Sequence, residues 1–131
     1  MRLGVRYFIL VLFALLINQP VLADESTDCF TKAWAHPDDG GLGLTRGQAI
    51  EICNGATNVN EIVKCYKKAW GHPDDGGLGL NRGQAVRLCT KATNASKITK
   101  CYEKAWGHPN DGGLGLNRGQ AIDLCATVKE R

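Results

Sequence analysis

The residues best suited to chemistry in this chain lie in one stretch written three times. It reads AHPDDGGLGLTRGQA from Ala35, GHPDDGGLGLNRGQA from Gly71 and GHPNDGGLGLNRGQA from Gly107. Each copy offers an imidazole (His36, His72, His108), an acid present in all three (Asp39, Asp75, Asp111) and, just upstream, an indole (Trp34, Trp70, Trp106). Metal ligation, acid–base hydrolysis and adsorption of a partner on aromatic rings are the chemistries such a set suggests.

Zinc needs several ligands within roughly 2.1 Å of one ion. Equivalent histidines of stacked repeats should lie about 10 Å apart, a helix-packing distance. The expected role of each histidine is therefore to satisfy carbonyls at a helix C-terminus, where a cation is also favoured. The acid pairs Asp38-Asp39, Asp74-Asp75 and Asn110-Asp111 invite calcium, but leucines and glycines occupy the places where an EF-hand loop needs later ligands. Pro-Asp-Asp-Gly-Gly reads instead as a turn. No metal is assigned; Asp39, Asp75 and Asp111 are the better acids for one. A phosphate cradle is disfavoured because Thr or Asn already caps each following helix and no Walker lysine follows.

For catalysis a nucleophile is missing. All six cysteines have a disulfide role, and the only serines beyond residue 23 are Ser26 and Ser96. The His and Asp of a loop make at most a base and its orienter. No catalytic residue and no cofactor is assigned. The tryptophans fall on an apolar helical stripe, which predicts hairpin core. Their place at the last turn beside the loop leaves room for a partly open ring that stacks on glycan or on a partner's side chains.

The elements that position these residues follow from a repeat. Cys29, Cys65 and Cys101, Cys53, Cys89 and Cys125, the three tryptophans, and Phe30, Tyr66 and Tyr102 all recur at a step of 36. Ile98, Cys101, Tyr102, Ala105 and Trp106 fall at helical spacing, as do Ile62, Cys65, Tyr66, Ala69 and Trp70. The first copy lacks the leading aliphatic, and its helix is expected to start at Ser26-Thr27-Asp28. A second helix per unit begins at a capping box, Thr45 with Gln48, Asn81 with Gln84 and Asn117 with Gln120, preceded by staple leucines Leu44, Leu80 and Leu116. It should give way around Asn54-Gly55 or Thr93-Asn94. The fold class is all-α: three tandem αα-hairpins forming a short helical solenoid, with units near 29–64, 65–100 and 101–131.

Within a hairpin, Cys65 lies six residues before Gly71 and Cys89 eight after Asn81, so the two sit at similar heights on antiparallel helices. That favours Cys29–Cys53, Cys65–Cys89 and Cys101–Cys125 over pairing between units. The alternative, Cys53–Cys65 with Cys89–Cys101, leaves Cys29 and Cys125 to meet across the array. Each intra-hairpin bridge contributes on the order of 3 kcal/mol in the chain-entropy model.

Residues 1–23 read as a signal peptide: Arg2 and Arg6, an apolar run from Tyr7 to Ile17, then Val21-Leu22-Ala23. The run is short of the ~20 residues of a membrane span, so no stable membrane anchor is expected. Two of the 16 basic residues lie there, which leaves 14 against 13 acidic and a net charge of +1. Such a balance gives no footprint for nucleic acid. Removing 23 of 131 residues leaves 108, one repeat domain at 24–131.

The period resembles those of tetratricopeptide and Sel1-like repeats, whose motif residues do not match. The G-L-x-R-G-Q-A-x-x-L-C signature and the 24-residue cysteine spacing resemble exported bacterial proteins built from cysteine-pair αα-hairpin repeats. That resemblance covers residues 29 to 125 and implies location and architecture, but no activity. The expectation is a secreted or periplasmic, non-enzymatic binding or structural protein with a glycan or protein partner. The alternative is a divalent-metal protein using the HPxDGG loops, and a small hydrolase comes third.

Overall fold

A computed structural model describes residues 24–126; the predicted signal peptide, residues 1–23, lies outside them, as do residues 127–131. Six α-helices follow one another: α1 (Glu25–Trp34), α2 (Arg46–Cys53), α3 (Val59–Trp70), α4 (Arg82–Cys89), α5 (Ala95–Trp106) and α6 (Arg118–Ala126). Among the described residues there is no strand. Each pair α1–α2, α3–α4 and α5–α6 forms a hairpin whose loop opens with a 3-10 turn, at Pro37–Asp39, Pro73–Asp75 and Pro109–Asp111. The odd helices pack on one another in one layer and the even helices in a second. The tandem-hairpin architecture read from the 36-residue step is the architecture observed.

Side chains that bond orphan N–H groups set the helix starts. Gln48 N–H donates to Thr45 Oγ1 at 3.2 Å while Thr45 N–H donates to Gln48 Oε1 at 3.2 Å, a closed capping box. Asn81 with Gln84 and Asn117 with Gln120 repeat it. Helix α1 begins earlier than Ser26-Thr27-Asp28, because Asp24 accepts from Ser26 N–H at 3.0 Å and makes Glu25 the first helical residue. The second helix of the first unit gives way at Asn54-Gly55 as expected, whereas that of the second unit ends sooner than Thr93-Asn94. Helix α2 stops at Cys53 and α4 at Cys89, where the chain turns left-handed at Gly55 (φ 71°) and Lys91 (φ 59°).

The disulfides are Cys29–Cys53, Cys65–Cys89 and Cys101–Cys125, with Cα atoms 5.5, 5.6 and 5.6 Å apart. They join the two helices of each hairpin, as the equal heights of the cysteines require. Disulfides of this kind persist in an oxidising environment. No helix among the described residues is long and apolar enough to cross a membrane. Around the bridges Ile52, Ile62, Leu88, Ile98 and Ile122 are buried and form one continuous core.

Polar ties join successive units. Glu61 Oε2 accepts the backbone N–H of Ala95, the first residue of α5, at 2.7 Å. That bond holds the Glu61 carboxyl below the ordinary carboxylate range; burial opposes it, and Lys64 adds to it. Lys68 lies 3.6 Å from Glu103, and Arg87 pairs with Asp123.

Candidate functional site

Backbone hydrogen bonds stitch each glycine loop to the end of the helix before it. In the second unit α3 closes with Gly71 N–H on the Lys67 carbonyl, and Pro73 then prevents any continuation. The returning loop caps the open helix end: Leu78 N–H donates to the Lys68 carbonyl at 2.9 Å, Leu80 to Ala69 at 3.0 Å and Gly79 to Gly71 at 2.9 Å. The close return accounts for the glycine pair. Gly76 holds φ +79° at the end of the 3-10 turn, and a Cβ on Gly77 would lie 2.0 Å from the Gly71 carbonyl oxygen. All three loops repeat this geometry.

His36, His72 and His108 do not satisfy helix carbonyls. Their Nδ1 atoms accept backbone N–H groups two residues on, from Asp38 at 3.2 Å, Asp74 at 3.1 Å and Asn110 at 3.1 Å. Each histidine is the N-cap of its 3-10 turn, and the following proline occupies the first turn position. The reason is geometric: the bend at proline presents free N–H groups ahead of the ring, whereas the loop amides already fill the helix carbonyls behind it. With Nδ1 accepting, the neutral ring carries its proton on Nε2.

The tryptophans depart furthest from the core role expected of their stripe. Trp34, Trp70 and Trp106 are each 49% exposed. Each closes the last turn of its helix, where no neighbouring element covers it. Exposure does not leave them loose. The ring stacks against the aromatic one turn earlier, with centroids 6.2 Å apart for Phe30–Trp34, 6.3 Å for Tyr66–Trp70 and 6.4 Å for Tyr102–Trp106. A guanidinium from the following helix also lies over each: Arg46 at 5.3 Å, Arg82 at 5.6 Å and Arg118 at 5.7 Å from the ring centroid. Arg82 and Arg118 additionally donate to carbonyls of the preceding unit, Gly43 and Gly79, both at 2.9 Å.

The pinning arginines escaped the sequence argument. The signal was present. Trp34–Arg46, Trp70–Arg82 and Trp106–Arg118 share one offset of 12 residues.

The structure does bring the predicted binding residues together. Trp34, His36 and Asp39 line one open groove of the first unit, and Trp106, His108 and Asp111 line one of the third. Among the described residues Asp39, Asp75 and Asp111 make no side-chain hydrogen bond or ion pair, and the three indole N–H groups donate to nothing. The neighbouring acids differ: Asp38 and Asp74 approach their histidines at 3.3 and 3.5 Å, and the third copy carries Asn110 there. Among the described residues no three His, Cys, Asp or Glu side chains converge as metal ligands. Each groove thus offers an aromatic ring fixed on two sides, an indole N–H, an imidazole Nε2–H and an unpaired carboxylate.

The chain matches no protein-family model, no curated protein and no solved structure. What the structure carries is a cysteine-paired helical repeat, three disulfides each stapling two helices.

Proposed function

We propose that this chain is an exported, non-enzymatic repeat protein that binds a repetitive polar partner, foremost cell-envelope glycan, along the loop edge of its stack. The observation that carries the reading is the half-exposed tryptophan of each unit, held by a guanidinium and an aromatic neighbour beside an idle carboxylate. An aromatic face takes the C–H side of a sugar ring, and the carboxylate, imidazole and indole N–H suit its hydroxyls. Three tryptophans held alike at a fixed step suit a polymer better than a single small molecule. Their weak affinities would combine through effective concentration.

Hydrolysis fits these loops poorly. A base–orienter pair needs an Nδ1–H donating to the carboxylate; here the backbone N–H lies closer to each Nδ1, at 3.2 and 3.1 Å, than the carboxylates of Asp38 and Asp74, at 3.3 and 3.5 Å, and the third copy carries Asn110 there. Export is the compartment that agrees with the disulfides and with the layout of residues 1–23.

The protein carries its own reporter, because its only three tryptophans are those of the grooves. Titration with soluble envelope glycan fragments should shift or quench intrinsic fluorescence, with stepwise loss in Trp34→Ala, Trp70→Ala and Trp106→Ala combinations. Unchanged fluorescence together with no retention on insoluble envelope material refutes glycan binding. Retention of an extracellular protein instead would identify the partner as a protein surface.

A further inference from the structure

The two ends of the stack are the two halves of the junction that joins its units. At the position of Ile50, the equivalent residues Val86 and Ile122 are 1% exposed because the preceding unit covers them, whereas Ile50 itself is 62% exposed. Phe30, at the position of the buried Tyr66 and Tyr102, is only partly covered, and with Ile50 and Cys53 it lines an open apolar hollow. At the other end, Leu114 is 54% exposed where Leu42 is 8% exposed and Leu78 packs against the core.

The polar half of the junction is split in the same way. Arg82 donates to the Gly43 carbonyl and Arg118 to that of Gly79. Arg46 already lies over Trp34 in the pose of those two arginines and has no such carbonyl among the described residues. The Gly115 carbonyl, next in the series, accepts no hydrogen bond among them. A repeat array needs terminal units with polar outer faces to remain separate, whereas among the described residues the ends expose Ile50 on one side and Leu114 on the other.

We infer that copies of this chain join head to tail, the third unit of one docking on the first unit of the next through the internal junction. The occupant is a second copy because the matching surfaces already meet twice within each chain. The contact is heterologous, so it propagates into an open filament rather than closing a dimer. The polar ties do not all recur: Lys104 would face Thr31 where Lys68 faces Glu103 inside the chain. Arg87 and Asp123 pair across the internal junction, and the same register between copies sets Asp123 against Glu51, so the contact between copies is weaker than the one inside. The inference does not depend on what the tryptophan grooves hold.

The test is sedimentation velocity of the oxidised full chain, produced with its own leader in an oxidising compartment, over a range of concentrations. Wild type should show mass growing with concentration. Ile50→Lys and Leu114→Lys each change an exposed side chain, so their thermal midpoints should stay within a few degrees of wild type. Each variant alone should remain monomeric, and their mixture should form a 1:1 dimer and nothing larger, because each supplies the end the other lacks. Glu51→Arg should tighten assembly by about three- to tenfold, the size of a reversed surface ion pair. A monomeric wild type overturns the inference, as it would if another segment or partner covers the ends. Assembly of either lysine variant alone overturns it in favour of a symmetric contact, and a mixture without dimers or an unmoved Glu51→Arg overturns the register.

Discussion

Replacing Tyr66 with phenylalanine should make the protein more stable, although it removes a polar group. Tyr66 is 1% exposed, and its hydroxyl, like that of Tyr102, is buried without a hydrogen-bond partner among the described residues. Burying a hydroxyl unpaired costs about 1–3 kcal/mol. Phenylalanine keeps the ring, its stacking on Trp70 and nearly all of its contacts. The lower figure, about 1 kcal/mol, is the expected gain per tyrosine, a rise of about 4–8 °C in the midpoint for a domain of this size. The first unit already makes this choice with Phe30.

A second readout is independent of the first. Burial pushes both phenols above their ordinary value of 10.0, with Arg82 and Arg118 pulling weakly the other way. A group whose folded pKa is raised contributes stability that is present below the unfolded pKa and lost as pH rises through the folded one. Wild type should therefore lose stability above about pH 10, and Tyr66→Phe with Tyr102→Phe should remove that alkaline slope. Urea unfolding with the disulfides intact, at pH 8 and through pH 9–11, measures both effects at constant m. A loss of about 1 kcal/mol or more at pH 8 would refute the reasoning, since it means the hydroxyl is bonded, for example to an internal water.

Three further outcomes follow from the loop and the junctions. Gly77→Ala should destabilise by at least about 3 kcal/mol, because its Cβ would lie 2.0 Å from the Gly71 carbonyl. Gly83→Ala, inside α4 with no close contact, should stabilise by about 0.5–1 kcal/mol; reversal of that order in thermal melts would contradict the loop geometry. Arg82→Ala should cost about 1–2 kcal/mol and Arg46→Ala about 0.5 kcal/mol, because only Arg82 adds a hydrogen bond to its place over an indole; equal losses would mean that the Gly43 bond contributes nothing. The lowered Glu61 pKa gives stability that is present above the ordinary value of 4.5 and lost as pH falls through the folded one. Glu61→Ala should therefore flatten the acid limb of a stability–pH curve, and an unchanged limb would show that the Ala95 bond carries no charge assistance.

The features legible in the sequence are those that a local rule or the repeat step determines. The capping boxes require only residues three apart, and the disulfide pairing requires only two helices of known direction. The tryptophans were harder to read. Trp70 belongs to the same helical stripe as Tyr66 and Ala69, yet it lies one position past the turn that the loop covers, and periodicity carries no information on where cover ends. The histidines failed for a related reason. His72-Pro73 marks a helix end, but whether the ring serves the carbonyls behind it or the amides ahead depends on the returning loop. Leu78 and Leu80 N–H groups had already taken those carbonyls. The early start of α1 rested on Asp24, a good cap that no apolar residue of the stripe signalled.

Accounting for the loop residue by residue sharpens what its repetition means. Histidine caps, proline begins the turn, the paired glycines allow the close return, the leucine before the cap is a staple, and asparagine or threonine with glutamine starts the next helix. These roles explain most of the identity among the three copies without any partner. Three positions are left over. The side chains of Asp39, Asp75 and Asp111 bond nothing among the described residues. The tryptophans hold half of their surface in the open although a smaller residue would end the helix as well. Gly47, Gly83 and Gly119 have room for a Cβ at ordinary contact distances or better, and nothing in the structure explains them. The three positions lie at the last residue of the helix before the loop, in the loop and in the first turn after it, on the edge where the arginines hold the indoles. Surface that the fold leaves open, identical in every unit on one edge, is what a binding site adds to a scaffold, and substitution of Asp39, Asp75 and Asp111 there should change binding while leaving the melting midpoint nearly unmoved.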